Sequence, residues 1–216
     1  LPDATVFALD LPGRGRSAGP GLQTVAGYAG VLVAWLEALA IPQAVFVGHS
    51  MGGAIAQTLA LDHADRVAGL VLIGTGARLR VHPDLLDGLL RAPELVYDQM
   101  TAWMWAESVP EAVRELGRAR LGEVDPAVLR GDFLACDAFD ERARVGGITA
   151  PTLVIGGTAD RMMPLKFSQF LADQIVGAEL VRVEGGGHML PLEQPDVVAG
   201  AVADWLARRL TIPGAR

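Results

Sequence analysis

Gly48-His49-Ser50-Met51-Gly52 follows an apolar, strand-favouring run, Ala44-Val45-Phe46-Val47, and opens a run of small helix-forming residues, Gly53-Ala54-Ile55-Ala56-Gln57. Strand before and helix after make this a sharp strand-to-helix turn with a serine at its tip. A serine hydroxyl is a weak nucleophile until its surroundings activate it. Such a turn presents it with backbone N–H groups ready for a developing oxyanion, and it forces an uncommon φ/ψ on the serine itself. Glycines two before and two after Ser50 suit the turn, because a β-carbon at either position is expected to collide with the adjoining strand or helix. The pattern alone is short and the chain has 26 glycines, so the flanking elements carry the inference.

Upstream, Thr5-Val6-Phe7-Ala8-Leu9 reads as a buried strand ending in a turn-rich loop, Asp10-Leu11-Pro12-Gly13-Arg14-Gly15-Arg16-Ser17. The apolar stretch from Val25 to Ile41 contains Glu37, and Val25, Tyr28, Leu32, Trp35, Leu36 and Leu39 repeat at helical spacing. That pattern predicts an amphipathic helix from about Thr24 to Leu39, not a membrane span. Downstream of Ser50 the helix runs to about Asp62. A strand at Gly69–Ile73 follows, closed by Gly74-Thr75-Gly76. From Ala77 to about Gly147 strand signals vanish, and Pro93, Pro110 and Pro126 stand near the starts of helical segments. Strands resume at Thr152–Ile155 and Glu179–Val183, with helices from Pro164 to Ile175 and from Pro195 to Leu210. Alternating strands and helices imply an α/β fold, a mostly parallel sheet with helices on both faces. The expected organisation is a core from residues 1–76 and 148–216, with residues 77–147 inserted as a helical lid.

At 216 residues, 51% hydrophobic and 20% charged, the chain suits one globular domain with its lid, able to bury roughly 70% of its unfolded surface. A net charge of −7 without a Lys/Arg cluster disfavours nucleic acid and anionic membrane as partners. A single cysteine, Cys136, excludes an internal disulfide and fits a reducing, cytoplasmic compartment, as it equally fits an exported protein without disulfides. No signal peptide is visible, and no metal cluster or phosphate-cradling loop appears, so no cofactor is implied.

A serine nucleophile needs a base and a carboxylate to orient it. Of the four histidines, His49 adjoins Ser50 and is expected to point away from it, His63 sits at a helix end, and His82 lies in the insertion. His188, in Gly185-Gly186-Gly187-His188, lies in a loop directly after a strand, where the functional residues of parallel sheets collect. The loop after Ile73 holds no acid; the loop after Ile155, Gly156-Gly157-Thr158-Ala159-Asp160, does. Asp160 also fits a turn cap, and Glu184 is a second, weaker candidate acid. The resulting chain order is Ser, Asp, His.

With these residues in view, the chain resembles the α/β-hydrolase family, specifically its small lidded esterase-like members. The resemblance rests on Asp10–Ser17, Val47-Gly48-His49-Ser50-Met51-Gly52-Gly53, Pro151–Asp160 and Gly187-His188-Met189-Leu190-Pro191-Leu192-Glu193-Gln194-Pro195. It implies Ser50 as nucleophile, Asp160 as acid, His188 as base and the Met51 N–H as an oxyanion donor. Serine at the nucleophile position argues against a haloalkane dehalogenase. The family pattern also places strands ahead of Thr5–Leu9, and a His-Gly loop after the third supplies a second oxyanion N–H. With neither in this sequence, the expectation is a longer native N-terminus or another segment lying between the Thr5–Leu9 and Ala44–Val47 strands. Loss of one oxyanion donor costs on the order of 3 kcal/mol, so the chain as it stands is expected to turn over slowly.

The expected reaction is hydrolysis of a small, fairly apolar carboxylic ester or lactone through an acyl-enzyme. Trp103, Trp105, Met163 and Met189 are the candidate substrate-binding residues, with packing of the lid as the plainer role for each. Arg14 and Arg16 read as solvated. The same three side chains also serve C–C bond hydrolysis, perhydrolysis or a lyase step, and the same fold also serves as a non-enzymatic ligand receptor.

Overall fold

The computed structural model describes residues 4–209. Helix α1 (Val25–Ala38) begins where Thr24 accepts a hydrogen bond from the Gly27 N–H at 3.1 Å, which satisfies one donor of the first turn. Strand β1 (Ala44–His49) leads through Ser50 into α2 (Met51–Asp62), and β2 (Val67–Ile73) follows. Four helices then stand between β2 and β3: α3 (Pro83–Arg91), α4 (Pro93–Met104), α5 (Glu111–Gly122) and α6 (Pro126–Ala138). Proline opens α3, α4 and α6, where its missing N–H leaves no intrahelical acceptor unfilled. The chain closes with β3 (Thr152–Gly157), α7 (Leu165–Gln174), β4 (Glu179–Val183), the single turn α8 (Leu190–Glu193) and α9 (Pro195–Arg209).

The four strands pair in parallel in the order β1-β2-β3-β4, with Val71 opposite both Val47 and Leu153. Alternation along β2 and β3 divides the core between the two faces of the sheet. Leu70, Leu72 and Val154 pack with Tyr28, Ile55, Leu59 and Leu171 from α1, α2 and α7. Val71, Ile73, Leu153, Ile155 and Val183 pack with Leu190, Val198 and Trp205 from α8 and α9. Because the strands are parallel, β1, β3 and β4 all finish at one rim, which gathers the loops carrying Ser50, Asp160 and His188.

Two expectations need correction. Thr5–Leu9 forms no strand; Val6 is 74% exposed and Phe7, 51% exposed, rests edge-on against Trp35. An apolar run becomes a strand only beside another that completes its ladder, and among the described residues β1 pairs with β2 alone. Arg14 is also not free in solvent but part-buried and paired. Its Nε donates to Asp132 Oδ2 at 3.0 Å, and the Tyr28 hydroxyl donates to Asp132 Oδ1, so the Asp10–Ser17 loop, α1 and α6 meet at one buried carboxylate. On the next turn of α6 lies Cys136, also buried, whose thiol burial pushes up to about 12.

Candidate active site

Ser50 sits between β1 and α2 at φ 52°, ψ −115°, a conformation that few residues with a β-carbon adopt. The turn is tied from several sides. The Ser50 N–H donates to Ile73 O at 2.9 Å, and the Ser50 carbonyl accepts from Gly53 N–H at 2.9 Å and from the Thr75 hydroxyl at 2.8 Å. A β-carbon at Gly48 would stand 2.2 Å from Gly52 O, so the strand and helix approach too closely for any other residue. Gly52 differs from expectation, since a β-carbon there would meet nothing within 4 Å; the second close approach belongs to Gly53, against Thr75. Met51 is the first residue of α2, where backbone N–H groups have no intrahelical acceptor and the helix dipole favours negative charge.

The loops after β3 and β4 bring their candidates to Ser50. His188 Nε2 lies 3.1 Å from Ser50 Oγ, and His188 Nδ1 lies 2.9 Å from Asp160 Oδ2. A carboxylate accepts, so Nδ1 carries the proton and Nε2 is left to accept from the Ser50 hydroxyl. His188 is 3% exposed and Asp160 5%, which keeps water from competing for either bond. Asp160 Oδ1 accepts from the N–H groups of Met162 and Met163 at 2.9 and 2.8 Å. The turn cap and the orienting acid are thus the same carboxylate. Glu184 instead accepts from the Thr158 hydroxyl at the surface. His82 caps α3 and His63 ends α2.

Met163 is buried beside Asp160, and Met189 adjoins His188. Trp103 packs with the cluster of Leu85, Val96, Tyr97 and Met100, and Trp105 lies against Gly117 of α5. A surface cleft of about 390 Å³ runs past Trp105, Ala106, Ala159 and Arg161, and Ser50 is not among its lining residues. No group of three or more His, Cys, Asp or Glu among the described residues is arranged to hold a metal ion, and no described helix is long and apolar enough to cross a membrane.

Thr75, His49 and Glu193 also shape this site. Thr75 holds the turn at Ser50 O. His49, expected to point away from Ser50, donates its Nε2–H to the His188 carbonyl at 2.7 Å, with the two rings 4.8 Å apart. Burial first, and then the charge of His188, lowers the His49 imidazole to about 4, so it stays neutral beside a His188 that takes up a proton. Glu193 accepts from main-chain N–H groups on both sides of His188. Its place in the Gly187–Pro195 stretch is the one sequence signal for it.

Residues 1–201 match the profile of the alpha/beta hydrolase family. The chain belongs to that family. This α/β-hydrolase is 34% identical over 223 residues to a Variovorax paradoxus protein with the provisional name carbamate hydrolase RutD, covering 97% of this chain and 83% of the relative. Among solved structures, it is similar to a thermophilic esterase at 39% identity and TM-score 0.82, covering 92% of this chain and 79% of the other. It is also similar to the enol-lactonase of Burkholderia xenovorans at 28% identity and TM-score 0.85, with the same coverage. The α/β-hydrolase is therefore an enzyme, a hydrolase of this family.

Proposed function

We propose that this hydrolase cleaves a small, fairly apolar carboxylic ester or lactone by two-step acyl transfer from Ser50. The observation that carries the reading is the unbroken hydrogen-bond line from Ser50 Oγ through both nitrogens of His188 to Asp160, at 3.1 and 2.9 Å. His188 Nε2 takes the hydroxyl proton as Ser50 Oγ bonds to the ester carbonyl carbon, and the carbonyl oxygen becomes an oxyanion facing the Met51 N–H. The tetrahedral adduct collapses, the C–O bond to the alcohol breaks, and the alkoxide leaves with the proton from His188. Water then gives a proton to the same nitrogen, attacks the acyl-serine and releases the acid. Asp160 keeps Nδ1 protonated throughout and offsets the charge that His188 gains.

In this reading residues 77–147 are the lid over a core of residues 1–76 and 148–216. Met163 and Met189, next to the acid and the base, face the acyl group, and Trp103 and Trp105 set the lid's shape above it. That two similar structures are an esterase and an enol-lactonase supports a carboxylic ester over other acyl compounds. A carbamate is the second reading, favoured by the name of the 34% identical relative; its carbonyl passes through the same steps, the alcohol leaving first and water then hydrolysing a carbamoyl-serine.

A p-nitrophenyl ester series and a matched carbamate series separate the two. Ser50→Ala is expected to lower kcat by on the order of 10⁴-fold or more on the preferred series and to abolish labelling by a fluorophosphonate. Hydrolysis that survives the substitution removes Ser50 from the reaction.

A further inference from the structure

We infer that Glu193 is the positioning residue that seats His188 and couples that seat to the helical segment between β2 and β3. This rests on the reading of His188 as the base. The carboxylate stands at the end of α8, and no Lys, Arg or His among the described residues pairs with it. Its partners are main-chain N–H groups. Oε2 accepts from Gly187 at 2.8 Å, Oε1 accepts from Met189 at 2.9 Å, and Oε2 also accepts from Ala106 at 3.4 Å.

The first two donors flank His188 in the chain, so one rigid carboxylate fixes the peptide units before and after the imidazole. The third donor belongs to the stretch just beyond α4. The last residue of α4 holds the loop a second time, because Met104 O accepts from both His188 N–H and Met189 N–H at 3.1 Å. Packing is as tight as the bonding: a β-carbon on Gly187 would stand 2.4 Å from the Ala106 nitrogen. With His49 donating to the His188 carbonyl from β1, both main-chain polar groups of His188 and both neighbouring amides are occupied by residues outside its own tripeptide.

Charge makes Glu193 hard to replace. A carboxylate offers two oxygens and only accepts, whereas the isosteric amide of Gln must turn an NH₂ toward one of the donors it is meant to receive. Glu193→Gln is therefore expected to release either Gly187 or Met189 and let the imidazole swing from Ser50. A displacement of about 1 Å at a reacting group costs about 10²-fold in rate.

The test compares kcat and KM of p-nitrophenyl butyrate hydrolysis in the parent and Glu193→Gln, with the His188 Nδ1–H resonance followed by NMR in both proteins. A positioning role gives a 30- to 100-fold lower kcat, a KM changed by less than threefold, and loss or broadening of that resonance well below the melting temperature. Parent-like kcat with an unchanged resonance overturns the inference, as does a lower melting temperature with normal chemistry. If the variant does not fold, amide hydrogen exchange on the parent decides. Gly187 and Met189 amides protected together with Ala106 support the coupling; exchange at free-loop rates refutes it. Because the resonance reports the imidazole's seat and not turnover, it separates this inference from failure of the serine reading, which Ser50→Ala tests.

Discussion

The folded state opposes protonation of His49, and that has a consequence for stability in acid. An unfolded imidazole takes up a proton near pH 6.5, but the folded one does so only near 4. Between those values the unfolded chain binds more protons, so unfolding free energy falls as the solution is acidified through that window. The loss at pH 4 is on the order of 2–3 kcal/mol. His49→Gln keeps an N–H for the His188 carbonyl but cannot titrate, so urea unfolding from pH 7 to 4 is expected to show a shallower decline by that amount; an unchanged slope refutes the assignment. Ser50, Asp160 and His188 were legible in the sequence because each stands directly after a strand among turn residues. His49 and Glu193 were not, because their partners are main-chain groups, the His188 carbonyl 139 positions away and the Ala106 amide 87 positions away. Side-chain patterns do not show a backbone partner.

At the scale of elements, the strand–turn–helix unit keeps Ser50 in an unfavourable conformation through the bonds to Ile73, Gly53 and Thr75. Residues held at such backbone angles cost of order 1–3 kcal/mol. Removing the β-carbon relieves the strain, so Ser50→Gly is expected to raise stability by about 1–2 kcal/mol, visible as a higher urea midpoint, while destroying activity. A less stable Ser50→Gly protein contradicts the strained geometry. Elements with their own signals were read closely: Pro93, Pro110 and Pro126 mark helix starts, and β3 and β4 fall on the expected apolar runs. Thr5–Leu9 carries the same kind of apolar signal yet forms no strand, because a strand is defined by its neighbour and propensity speaks only for one side of the pair.

Across the whole molecule, Asp132 joins parts of the chain more than a hundred positions apart, accepting from Arg14 and from Tyr28. The carboxylate is 3% exposed, while Arg14 retains partial contact with solvent. Removing it leaves a part-buried guanidinium and a buried phenol without their acceptor. With the exposure of Arg14 taken into account, Asp132→Ala is expected to cost about 2–3 kcal/mol in urea unfolding, and Tyr28→Phe about 1 kcal/mol. Equal stability of Asp132→Ala and the parent refutes this junction. Non-local pairing of this kind is what made Arg14 read as solvated.

Cys136, one turn along α6 from that junction, is the chain's single thiol, and burial followed by the Asp132 charge lifts it to about 12. Disulfide-exchange reagents consume thiolate, so the native protein stays silent toward them and each modified molecule records an opening of α6. The chain thereby carries its own clock, one covalent mark per excursion, timed without any added label.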